Sequence, residues 1–138
     1  MMLVLEPLKK AIVNHRAVNL EEITAKKFGG FCSCGGVMFQ KSWVRNENRE
    51  ILISECERCW KIEALVFNSR RFVRKEDVII IKGDDFVNFL RDFLSESEFE
   101  AVIGKAKGNK YKPTALSRAK KRLSNLNLNI DEVLTLLK

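Results

Sequence analysis

The chain is poor in histidine and lacks the long apolar runs that cross membranes. Of its 138 residues only one is histidine, and no apolar run approaches the roughly 18 residues that a membrane span requires. The apolar start, Met1 to Leu5, is short and is followed at once by Glu6, so we expect no signal peptide. We therefore expect a soluble cytoplasmic protein.

The sequence also lacks the motifs of common catalytic sites. It has no phosphate-binding glycine loop and no nucleophile elbow. His15 is expected to be a partly exposed helix residue, and Glu55, Glu57 and Glu63 are expected to form solvated ion pairs. We therefore expect a non-catalytic protein without a small-molecule substrate.

Helical patterns open the chain. Pro7 suits the first turn of a helix, and the apolar residues that follow it predict a helix through about Ala17. Asn19 followed by Glu22 is an N-cap pattern that predicts a second short helix ending at Gly29 and Gly30.

Alternating apolar and polar residues then predict β-structure. Two strands lie on either side of a polar hairpin loop at residues 46–49, and further strands are predicted at 61–67 and 72–81, the last with a buried end at 78–81. Beyond Gly83 the apolar spacing becomes helical, with a capping-box pattern at Ser95 and Glu98 and a stop at Gly108. The rest of the chain predicts a three- to four-helix region.

The four cysteines occur as two close pairs, Cys32 with Cys34 and Cys56 with Cys59. Two pairs at the ends of a hairpin can supply the four soft ligands of a tetrahedral zinc ion. We expect one structural Zn²⁺, which leaves no position for a substrate. Iron in the same site is an alternative, since ligand type does not separate the two metals. Disulfides are disfavoured because the chain has no secretion signal. Four unrelated free thiols are disfavoured because the cysteines occur as two closely spaced pairs in the sequence.

This arrangement resembles the zinc-ribbon superfamily over residues 31–67. The resemblance implies a three-stranded antiparallel sheet with two cysteine knuckles, although the first pair has one intervening residue where the superfamily has two. The expected fold class is α+β: a small antiparallel zinc-ribbon sheet with an N-terminal helix and a C-terminal helical region. The expected domains are a helical segment at 1–30, a zinc-ribbon-like β domain at 31–82 and a helical domain at 83–138.

The positive charge of the chain is concentrated in one segment. The formal net charge is +7, and residues 105–122 contain eight basic side chains and no acidic ones. On the helix opened by Pro113, we expect the basic side chains to lie opposite Leu116, Ala119 and Leu123. The predicted phosphate contacts are Lys110, Lys112, Arg118, Lys121 and Arg122.

These features predict a nucleic-acid-binding accessory protein of transcription, translation or RNA processing, with RNA and DNA equally compatible. An adaptor that docks onto a larger protein assembly is an alternative, because acidic residues precede the basic segment. An iron–sulfur electron carrier is a third hypothesis. If the basic helix were paired with acidic side chains of the fold, the nucleic-acid hypothesis would lose most of its support.

Overall fold

The structure is a computed structural model of the chain and describes residues 2–138. Eight strands come first: β1 (Met2–Leu5), β2 (Lys10–Val13), β3 (Arg16–Glu22), β4 (Phe28–Phe31), β5 (Val37–Asn46), β6 (Arg49–Cys56), β7 (Ile62–Asn68) and β8 (Arg71–Ile81). A short 3-10 helix (Glu6–Leu8) connects β1 with β2. Four helices follow: α1 (Gly83–Phe93), α2 (Glu96–Lys107), α3 (Pro113–Asn125) and α4 (Ile130–Leu137).

Seven of these strands close into a barrel. Their order around the sheet is β3-β2-β1-β8-β7-β6-β5, and β5 pairs with β3 to complete the ring. β5 pairs with β6 along its whole length, but its other edge is divided. Its first residues pair with β4 and residues 42–44 pair with β3. One extra residue, Lys41, shifts the register of β5 against β6 between these two parts.

The described chain forms two compact units. The barrel unit comprises the residues up to Val4 together with Val18–Ile79, and the helical unit comprises Leu5–Ala17 and Ile80–Lys138. The barrel unit buries apolar residues of several strands: Met2, Val4, Val44, Ile51, Ile53, Ala64 and Val66. β6 is buried on both faces from Ile51 to Ser54, because its residues of both parities are covered.

The helices form where local signals favour them. Phe86 and Leu90, one turn apart, are the buried residues of α1. Ser95 and Glu98 form a reciprocal capping box at the start of α2, and Gly108 ends it in the left-handed conformation. Asn129 caps α4 by accepting a hydrogen bond from the Asp131 N–H at 2.8 Å. Their apolar faces meet in one core within the helical unit.

The predicted fold class is wrong, because a closed barrel replaces the small zinc-ribbon sheet and no α-helix precedes the barrel strands within residues 2–82. Pro7 begins only a three-residue 3-10 helix, which ends at Lys9 in the left-handed conformation. In β2, Ala11 and Val13 are buried and Ile12 is half-buried, which is the period of a strand. Asn14 and His15 both have positive φ, so His15 lies in a two-residue turn.

Two further expectations about local structure are also wrong. The helix predicted between Asn19 and Gly30 is replaced by the end of β3 and by β4, which contains both glycines. The end of β8 is not buried, since Ile79 is 41% exposed.

None of the helices within residues 2–138 is long and apolar enough to cross a membrane.

Gly104 permits the close return of the chain onto α2. A Cβ atom added there would lie 2.9 Å from the carbonyl oxygen of Lys110, a contact that the backbone must move to relieve. We expect Gly104→Ala to lower the free energy of unfolding by about 1–3 kcal/mol in urea denaturation. Gly83→Ala is the control, because no atom lies within 4 Å of the added Cβ. Equal stability of the Gly104 variant and the wild type would contradict this explanation.

Candidate metal centre and nucleic-acid interface

The four cysteines lie at one end of three neighbouring strands. Cys32 follows the last residue of β4, Cys34 lies in the β4–β5 connection, and Cys56 ends β6. Cys59 lies in the β6–β7 connection. Because Met38 of β5 is paired with Cys56, the two cysteine-bearing loops are neighbours. Cys32 and Cys56 are buried, whereas Cys34 and Cys59 are exposed.

The sulfur atoms of these cysteines form a compact cluster. All four Sγ atoms lie within 4.8 Å of one another. The Cys32 and Cys59 sulfurs are 3.6 Å apart, and the Cys34 and Cys56 sulfurs are 3.5 Å apart. A tetrahedral zinc site with bonds of about 2.3 Å has sulfur–sulfur edges of about 3.8 Å. The cluster therefore has the size of a four-thiolate metal site.

Backbone N–H groups of both loops point at the sulfurs. Gly36 donates to Cys34 Sγ at 3.3 Å, and Arg58 and Cys59 donate to Cys56 Sγ at 3.3 Å and 3.4 Å. A Cβ on Gly36 would lie 2.7 Å from Cys56 Sγ, so only glycine fits between the loops. These donors stabilise negative charge on the sulfurs, as the outer shell of a thiolate metal site does.

The pKa values of Cys56 and Cys59 are shifted in opposite directions. The N–H of Cys59, followed by that of Arg58 and the Cys34 thiol, lowers the pKa of Cys56 to about 6 against the opposing effect of burial. For Cys59 the N–H of Lys61 acts to lower the pKa, but the neighbouring Cys32 and burial raise it to about 12. The two shifts have opposite directions because adjacent negative charges on neighbouring sulfurs repel.

Exposed aromatic side chains surround the cluster. Phe31 is 67% exposed and contacts Phe28, which is 55% exposed, at a ring-centroid distance of 5.2 Å. Trp60, next to Cys59, is 73% exposed and has a positive φ of 67°. Apolar rings that are exposed to solvent are typical of a surface that contacts another molecule.

The three glutamates considered from the sequence are all in ion pairs. Glu55 pairs with Lys41 at 3.0 Å and Glu57 with Lys26 at 3.6 Å. Glu63 differs from the expected solvated pair, because its side chain is only 7% exposed between Lys61 and Lys75. Composition alone cannot show this burial, which follows from the pairing of β7 with both of its neighbours.

The apolar face predicted for the basic helix is confirmed, because Ala119 and Leu123 are buried and Leu116 packs against the same core. Ala115 is buried as well, which widens this face toward Arg122. Arg122 donates to Glu98 Oε1 at 3.1 Å and is therefore an intramolecular partner of α2. This pairing removes one of the five predicted phosphate contacts and part of the support for the nucleic-acid hypothesis.

The other four predicted cations are exposed. They are Lys110, Lys112, Arg118 and Lys121. No ion pair holds any of them within the part of the chain that the structure describes. Lys110 and Lys112 line an open cavity with Tyr111, Ser97 and Glu100. These cations are free to contact a polyanion.

The fold and the site define a class of protein that has a closed β-barrel, a four-cysteine cluster and four helices after the barrel. The chain matches the AF0631-like N-terminal beta-barrel domain over residues 1–80 and the AF0631-like C-terminal four-helix domain over residues 83–136. It is 46% identical over 134 residues to an uncharacterized protein of Archaeoglobus fulgidus, and the match covers 97% of each chain. The chain therefore belongs to the AF0631-like family. No solved structure matches it with statistical significance.

The family assignment overturns the resemblance to the zinc-ribbon superfamily. One matching domain is a β-barrel and the other is a four-helix domain, and a zinc-ribbon family is not shown. The strands that carry Cys56 and follow Cys34 belong to a closed ring instead of a free three-stranded sheet. The two cysteine pairs and the hairpin between them suggested the resemblance, because these local features have the same sequence pattern on either scaffold.

Glu98 provides a test of the α2–α3 contact. Burial raises its pKa, but the Ser95 N–H and the Arg122 guanidinium together lower it below its ordinary value. We expect Glu98→Gln to lower the free energy of unfolding at pH 7 by about 1 kcal/mol, since Arg122 is half exposed and solvent screens the pair.

The pH dependence follows from the direction of this pKa shift. A lowered pKa in the folded state gives stability above the unfolded value, about 4.3, that is lost as pH falls through the folded value. The difference between Glu98→Gln and the wild type should therefore shrink below about pH 4.3. Glu96→Gln, an exposed first-turn residue of the same helix, is the control. A pH-independent difference would contradict the charged contact.

Proposed function

We propose that the protein is a zinc-stabilised, non-catalytic nucleic-acid-binding accessory protein of transcription, translation or RNA processing. The observation that carries this proposal is the set of exposed, unpaired cations on the α2–α3 connection and α3. A segment with eight basic and no acidic side chains keeps most of its charge in solvent even after Arg122 is paired. Such a surface binds phosphates and releases their counterions, whatever the base sequence.

The proposed metal is one structural Zn²⁺ held by Cys32, Cys34, Cys56 and Cys59. The separation of the sulfurs and the N–H donors around them support it. A cation would neutralise the negative charge of four adjacent thiolates, which otherwise repel one another. The cytoplasm is the compartment we propose, because its reducing environment keeps such cysteines available for metal.

An adaptor function is the second candidate, and the aromatic residues beside the cysteines favour it. Phe31 and Trp60 are exposed at the loops of the cluster, and large aromatic side chains are common anchors of protein interfaces. This function predicts a protein complex that survives nuclease treatment and moderate salt. Nucleic-acid binding instead predicts partners that nuclease releases.

The metal proposal is tested by the composition of the purified protein. We expect one zinc per chain by elemental analysis, and Cys56→Ser should lose the metal and several kcal/mol of stability in the barrel unit. Ser33→Ala, between the ligands Cys32 and Cys34, should keep the zinc. A protein without metal would contradict the site. A coloured protein that contains iron would show that iron, the alternative metal, is the one that binds there.

The nucleic-acid proposal is tested by the salt dependence of binding. We expect labelled RNA or DNA to bind with a logarithmic affinity that falls linearly with the logarithm of salt concentration. Arg118→Gln with Lys121→Gln should reduce the slope by about 1.4–1.8, because two phosphate contacts are lost. Lys82→Gln with Lys138→Gln removes the same charge elsewhere in the helical unit and is the control. No binding at low salt would overturn the proposal.

A further inference from the structure

The strand β8 is much longer than one of the two strands beside it. It has eleven residues and lies between β7 and β1, and β1 has only four residues. Leu5 of β1 and Ile81 of β8 pack in the same core of the helical unit, so β1 lies beside the last residues of β8. Within residues 2–138, the first part of β8, from Arg71 to Lys75, therefore has a strand on one edge only.

The exposure of the side chains supports a free edge here. All five residues from Arg71 to Lys75 are exposed, so neither face of this part of β8 is covered. A strand inside a closed ring buries every second residue, as β7 does at Ala64 and Val66. The backbone N–H and C=O groups on this side of β8 point away from β7 and can pair with another extended chain.

A bulge sorts the side chains of this edge by their chemistry. One extra residue, Val73, shifts the register of β8 against β7. Arg71 and Arg74 therefore lie on one face, because their partners in β7 are two residues apart. Phe72 lies on the opposite face, where it is 56% exposed and its ring centroid is 5.9 Å from that of Phe67. The edge thus offers cations on one face and an aromatic ring on the other.

The charge of this edge is positive and only partly compensated. Residues 70–75 contain four basic side chains and no acidic one, and within the described chain Arg71 has no ion-pair partner. Arg74 and Lys75 each pair with a glutamate, but their side chains are 48% and 51% exposed, so an incoming carboxylate can replace these partners. A second copy of this chain would place the same cations opposite one another, which disfavours pairing of two β8 edges.

We propose that an extended segment of a protein partner, with acidic and apolar residues in alternation, adds to the free edge of β8 as a further strand. Its backbone forms a ladder with residues 71–75, which requires the N–H and C=O groups of a polypeptide. Its acidic side chains lie beside Arg71 and Arg74, and its apolar side chains lie beside Phe72. This inference goes beyond the proposed nucleic-acid function and does not depend on it.

The test uses a labelled peptide of eight residues in which glutamate and valine alternate, and measures its binding to the full chain by fluorescence anisotropy. We expect saturable binding, which a peptide of alternating lysine and valine should not show. A glutamate–valine peptide with methyl groups on its backbone nitrogens keeps its charge but lacks the N–H donors. It should bind at least about tenfold more weakly, because the ladder loses several hydrogen bonds.

Arg71→Glu reverses the charge at the free edge. We expect this variant to bind the glutamate–valine peptide about fivefold more weakly than the wild type and to bind the lysine–valine peptide more tightly. Lys27→Glu reverses an exposed cation between β3 and β4 and is the matched control, so it should bind both peptides as the wild type does. Thermal melting shows whether each variant folds.

Amide hydrogen exchange of the wild type locates the bound peptide. The amides of residues 71–75 that point away from β7 should exchange rapidly in the free protein and slowly in the complex. The inference fails if these amides exchange slowly without peptide, if the methylated peptide binds equally well, or if both variants behave alike. It also fails if oligothymidine protects these amides and the peptide does not. If the peptide binds but RNA and DNA do not, the inference stands and the proposed function fails.

Discussion

The pairing of β5 with its three neighbours is the constraint on which the barrel unit depends. One edge pairs with β6 over the whole strand, and the other is shared between β4 and β3. The extra residue Lys41 makes this possible, because a bulge increases twist and shifts the side-chain alternation. Gln40 and Trp43 thereby come to one face, where the Trp43 ring N–H donates to the Gln40 oxygen at 3.2 Å. The same strand thus begins at the cysteine cluster and ends at the tight turn into β6.

Signals that act over a few residues were sufficient for much of the local structure. The alternation on either side of residues 46–49 indicates β5 and β6, and the capping box of Ser95 and Glu98 marks the start of α2. Each of these features is stabilised by contacts between neighbours in sequence, so the residues of that short segment are enough to predict it. The closeness of the cysteine pairs follows from the same hairpin, because antiparallel pairing returns Cys56 to the beginning of β5.

Closure of the ring could not be predicted in this way. β1 lies beside β8 although some seventy residues separate them, and pairing at that separation leaves no local pattern. The strands β1 and β2 have only four residues each, which is too short to separate a period of 2 from one of 3.6, and Pro7 favoured the helix. The pairing of Arg122 with Glu98 was missed for a related reason, because a contact between two helices leaves no pattern within either of them.

The hairpin of β5 and β6 keeps its two ends far apart. The four cysteine sulfurs lie at its open end, and the turn between Asn46 and Arg49 lies at the other. Eight residue steps of extended strand from Met38 to Asn46 separate the ends by roughly 25 Å. Charges in water are screened beyond a Debye length of about 8 Å at physiological ionic strength. Charge on the sulfurs therefore has little effect on the charged side chains at the turn, although the pairing of β5 with β6 fixes the register of both ends.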